Sequence, residues 1–94
     1  MKARKRILKE ASSLISGDRH KQHGDAKENF TNIAKGWEVI LGVDIPIYKV
    51  GLCFDWAKTC RTNASPKEMD NYTDGCGYKA LAGELAADDE GKTS

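Results

Sequence analysis

From residue 30 to residue 41 the apolar side chains fall at Phe30, Ile33, Ala34, Trp37, Ile40 and Leu41, and Gly42 follows. Intervals of three and four residues put all six on one face of an α-helix, and glycine is the usual residue just past a helix end. A half-buried strand would alternate every second residue, and no stretch of the chain does so. This one pattern commits the chain to a helical core. The upstream start is a capping box, Asp25 with Glu28 three residues later, in which each side chain satisfies a backbone amide at the helix end.

The neighbouring segments read the same way. Ile7, Leu8, Ala11, Leu14 and Ile15 mark a first amphipathic helix ended by Gly17. Asp44 and Pro46 open a third segment that runs to about Arg61, proline being tolerated where the first-turn amide lacks a partner anyway. Ile47, Val50, Phe54 and Ala57 give it one apolar face, and Leu52, Cys53, Trp56 and Cys60 a second. Such a helix is either central or meets another subunit. Ser65-Pro66-Lys67-Glu68 signals a fourth helix start. Met69, Tyr72, Cys76, Ala80 and Leu81 extend its apolar face. Gly75, Gly77 and Gly83 interrupt it at about 1 kcal/mol each relative to alanine, which suggests close approach of a backbone or ligand.

The prediction is an all-α fold: a compact bundle of three to four helices over residues 1–88, with a polar tail at 89–94. Ninety-four residues support one modest core, so self-association into a homo-oligomer is expected to add stability. No apolar run is long enough to cross a bilayer, and Met1-Lys2-Ala3-Arg4-Lys5-Arg6 is not followed by the apolar stretch of a secretory signal. A cytoplasmic protein without a membrane partner is expected. Cys53, Cys60 and Cys76 are odd in number and widely spaced, which predicts reduced thiols rather than disulfides or a zinc site. No phosphate-binding glycine loop of the P-loop or dinucleotide type occurs.

Several polar groups could carry chemistry. Asp70 and Asp74, one helical turn apart, could hold Mg²⁺ through oxygen ligands or remain a solvated pair. Lys58 and Arg61 share a helix face and could clamp phosphate, or simply offset the helix dipole. Arg19, His20, Lys21 and His23 occupy a polar, glycine-bounded loop before a helix N-terminus, where anions bind well. Neither histidine has a carboxylate or cysteine at metal-ligand spacing. The cations Lys2, Arg4, Lys5, Arg6 and Lys9 crowd one end and offer weak nucleic-acid binding as a third reading, ranked last because no reading element accompanies the charge, so nucleic acid is not the partner expected on the sequence alone.

Read in order, Ala11 to Ile15, Gly17-Asp18-Arg19, His23-Gly24-Asp25, Glu28-Asn29-Phe30, Ile33-Ala34, Trp37, Lys58 with Arg61, Asp70-Asn71 with Asp74, and Gly77-Tyr78-Lys79-Ala80-Leu81 resemble a family of short phage and prophage proteins of unknown function. That family is related to the nucleotide-modification-associated domains and more loosely akin to the all-α nucleoside triphosphate pyrophosphohydrolases of the MazG type. The Glu-x-x-Glu and Glu-x-x-Asp motifs of the MazG-type enzymes are missing, and His23 stands where the family usually has tyrosine. The resemblance implies a phage-encoded protein of the host cytoplasm. Its polar positions fall on Arg19, Asp25, Glu28, Asn29, Lys58, Arg61, Asp70, Asp74 and Tyr78. The expected function is nucleotide binding, with Arg19, Lys58 and Arg61 on phosphates and His23, Asn29 and Tyr78 completing the ligand site. Asp70, Asp74 and Glu28 would hold Mg²⁺, or Asp70 and Asp74 would orient Arg61. The alternatives are a non-catalytic binder that sequesters a host nucleotide signal or blocks a host protein, and a Mg²⁺-dependent nucleoside triphosphate pyrophosphohydrolase.

Overall fold

The computed structural model describes residues 2–16 and 26–88. Four helices follow one another: α1 (Lys2–Leu14), α2 (Ala26–Leu41), α3 (Ile47–Ala64) and α4 (Met69–Asp88). The all-α bundle expected from the apolar periodicity is the fold observed, with no strand among the described residues.

α1 begins five residues before its first aliphatic position, Ile7, so the basic residues are part of the helix. It ends where serines accumulate: the Ser13 and Ser16 hydroxyls donate to the carbonyls of Lys9 and Ser12. Such back-bonding competes with continued helix. α2 stops as predicted at Gly42, whose φ of +72° places it in the left-handed region while its amide donates to the Glu38 carbonyl at 2.8 Å. Glu38 also accepts from the Ile45 amide at 2.7 Å, tying the link to α3 back onto α2. Asp25, the expected N-cap of α2, lies outside the described residues.

α3 runs three residues past Arg61, and Ser65 closes it by donating its amide to the Arg61 carbonyl. The Ser65-Pro66-Lys67-Glu68 signal marks this turn, with α4 itself beginning at Met69. The Glu68 amide donates to the Ser65 carbonyl at 3.1 Å, so the serine carbonyl, rather than its hydroxyl, supports the turn. Tyr72 Oη adds a 2.7 Å bond to the Pro66 carbonyl.

α3 and α4 form the central antiparallel pair. Gly51 lies against Ala82, Asp55 against Lys79, and Lys58 against Asp74, a descending register along α4. α1 packs on α4 and α2 packs on α3. The core is Phe30 and Ala34 of α2, Val50 of α3 and Leu85 of α4. Phe54 stands at its centre, its ring 5.3 Å from Tyr78, 5.8 Å from Phe30 and 6.1 Å from Trp37.

The apolar stripes are not covered along their whole length. Ile40 is 78% exposed and Leu41 62%, in the last turn of α2. The packed part of that helix is Phe30, Ile33, Ala34 and Trp37. On α3 the second face remains open: Trp56 is 68% exposed, and Leu52, Cys53 and Cys60 are exposed with it. Ala57, expected in the core, is exposed as well, since the packed line runs through Val50 and Phe54 instead. All three cysteines are free thiols.

Candidate functional site

A cavity of about 510 Å³ opens between the end of α1, the first turns of α2, and the middle of α4. Helical spacing assembles it. Asn29, Phe30, Asn32 and Ile33 present successive turns of α2, Asp74, Gly77, Tyr78 and Leu81 do the same on α4, and Phe54 of α3 lines it between them. The walls are chiefly apolar, and the polar residues among them are Asn29, Asn32, Asp74 and Tyr78. Gly77 lines one wall, where a Cβ would meet Ile15 Cγ2 at 3.5 Å, an ordinary van der Waals contact. A concave, largely apolar space with few convergent polar groups is the usual form of a small-molecule site.

Asp74 links this cavity to a pair of interhelical ion bridges. Its Oδ2 is 2.9 Å from Lys58 Nζ, with both side chains largely shielded from solvent. One turn along, Lys79 Nζ is 3.1 Å from Asp55 Oδ2. Gly75 lies between the two pairs. A Cβ at that position would be 3.1 Å from Asp55 Oδ1, so the glycine leaves room for the carboxylate to sit against α4.

The sequence-predicted residues divide into three groups. Asn29, Asp74 and Tyr78 come together around the cavity, and Lys58 stands directly behind Asp74. Arg61 and Asp70 are exposed at the α3–α4 turn end of the hairpin, and Glu28 is exposed in the first turn of α2. Arg19 and His23 lie outside the described residues. Among the described residues no three histidine, cysteine, aspartate or glutamate side chains gather in a way that could hold a metal. With Asp74 engaged by Lys58, the set Glu28, Asp70 and Asp74 does not fit a preformed Mg²⁺ cage. Sequence reasoning missed Asn32, which carries no motif, and Asp55, whose role depends on the register of α4. It also missed Thr73, whose buried Oγ1 has no hydrogen-bond partner among the described residues.

A four-helix domain with an apolar cavity beside a cross-paired helical hairpin is the class of protein defined here. Residues 6–86 match the model of a domain of unknown function, DUF6378, and the chain belongs to that family. It is also similar to the gene 55 protein of Mycobacterium phage D29, 35% identical over 72 residues, which cover 77% of this chain and 48% of the relative. The chain thus spans about half the length of that phage protein. No solved structure matches it. No helix among the described residues is long and apolar enough to cross a membrane.

Proposed function

We propose that this chain is a small nucleotide-binding protein that takes a base and sugar into the cavity between α1, α2 and α4. The supporting observation is the cavity itself: its size, its aromatic residues Phe30, Phe54 and Tyr78, and the Asn32 amide at its rim for a base edge. Phosphates would extend toward Lys58 and Arg61. Arg61 stands seven residues beyond Phe54, about 10 Å along α3, a distance that a polyphosphate chain can bridge. Lys58 is already partnered by Asp74, so in this reading Arg61 supplies the free, bidentate phosphate contact and Asp74 fixes the lysine at the cavity wall.

The test is calorimetric titration with nucleosides and with their mono- and triphosphates. Arg61→Ala is expected to weaken the triphosphate about tenfold, the effect of losing one charged hydrogen bond, and to leave nucleoside affinity unchanged. Because Arg61 is exposed, the melting temperature should not move. Absence of heat from every nucleotide would overturn the reading. Mass spectrometry of the same mixtures separates binding from turnover: a nucleotide recovered intact supports a binder, and release of pyrophosphate supports a hydrolase.

A second reading, a protein that assembles with or blocks a protein partner, is favoured by the open face of α3 around Trp56. A null titration would move the search there.

A further inference from the structure

We propose that the outward face of α1 docks on the phosphate backbone of a nucleic-acid duplex. The residues are Lys2, Lys5, Arg6 and Lys9, all exposed. At 100° per residue they fall within about 100° of the helix circumference and run about 10 Å along the axis. Ile7, Ala11 and Leu14 occupy the opposite side, where α1 packs on α4. The sequence alone shows a cluster of charges. The helix turns it into a stripe that faces away from the rest of the protein.

Three observations identify an anionic polymer as the partner. None of the four cations makes an ion pair among the described residues. The helix has no acidic residue in its first turn, so Lys2, Arg4 and Lys5 add to the positive end of the macrodipole. That arrangement weakens an isolated helix, and bound phosphate would offset it. Finally, residues 2–14 hold five cations and one carboxylate, net +4, whereas the remaining residues hold ten cations and thirteen carboxylates, net −3. A protein so polarised approaches a polyanion by this helix and is repelled elsewhere.

A nucleic acid fits better than an anionic membrane. A helix lying in a bilayer surface needs a free apolar face, and here that face is used against α4, leaving Leu8 as the exposed aliphatic side chain. The stripe is built of lysines and one arginine without asparagine or glutamine, and their contacts to phosphate carry no sequence information, so binding is independent of sequence.

The test is fluorescence anisotropy of a labelled duplex of about 20 base pairs across a salt series. Four phosphate contacts predict a slope of log K against log salt of about −3.6. The variant Lys2→Gln, Lys5→Gln, Arg6→Gln, Lys9→Gln keeps good helix formers at exposed positions, so its circular dichroism should match the parent. It is expected to lose binding by more than about a hundredfold at 50 mM salt, with a slope near zero. Retained affinity and slope in that variant would overturn the proposal, as would no duplex binding by the parent. Equal binding to phosphatidylglycerol vesicles, or salt-sensitive self-association without DNA, would also overturn it, assigning the stripe to lipid or to a second copy.

Discussion

Replacing Gly51 with valine is expected to lower the unfolding midpoint by more than about 12 °C, corresponding to roughly 3 kcal/mol in a domain of this size. At Gly51 α3 and α4 approach closely. A Cβ there would stand 2.9 Å from Ala82 Cβ, 3.1 Å from the Tyr78 carbonyl oxygen and 3.3 Å from Ala82 Cα. None of these atoms can move aside by changing rotamer, since two are backbone and the third is the first atom of its side chain. The two γ-carbons of valine add to the overlap, and the helices must separate to admit them. Gly83→Ala is the matched control, with nothing within 4 Å of its Cβ. It should stabilise by about 1 kcal/mol through helix propensity alone. Thermal melts of the two variants should therefore move in opposite directions, and a stable Gly51→Val protein would show that the hairpin packs more loosely than described.

Phe54→Ala is expected to destabilise by about 3 kcal/mol or more, a large part of the stability of a small domain. Among the described residues Phe54 is the one side chain in ring contact with residues of both neighbouring helices, Phe30 and Trp37 on α2 and Tyr78 on α4. Removing it leaves a hole that the three flanking rings, two anchored to α2 and one to α4, cannot all close. It also takes away one wall of the proposed nucleotide cavity. Chemical denaturation should show a lower midpoint, and the intrinsic fluorescence of Trp37, half-buried against this ring, should report a wetter environment. A midpoint within error of the parent would mean that α2 is held mainly by other contacts.

Much of this fold is legible in the residues because the signals are local. Gly42 ends α2 through its own backbone conformation, and the periodicity from Phe30 to Trp37 needs only the helix repeat. The Ser65 signal falls at the right place but marks the turn rather than the first turn of α4, because the Ser65 carbonyl becomes the acceptor for Glu68. Coverage is not local. Whether Ile40, Leu41, Ala57 and Trp56 are buried depends on where neighbouring helices end, which no periodicity encodes. The site divides along the same line. Lys58 and Asp74 stand out as charged residues, but their pairing follows from the antiparallel register. Aspartate precedes lysine on both helices, in Asp55 with Lys58 and in Asp74 with Lys79, so reversing one helix sets each acid opposite a base. Asn32 becomes part of the cavity through tertiary packing alone.

The four-residue turn between α3 and α4 has a kinetic consequence. Ser65 to Glu68 closes a hairpin whose strongest contacts, Gly51 with Ala82 and the two ion pairs, all lie within one continuous stretch of chain. Little loop entropy opposes their formation, so this hairpin is expected to form first, with α1 and α2 docking on it afterwards. In the folded protein the hierarchy runs in reverse. Backbone amides along the facing turns of α3 and α4 should exchange with solvent only on global opening, whereas those of α1, held chiefly to α4, should exchange through the cheaper detachment of that helix alone.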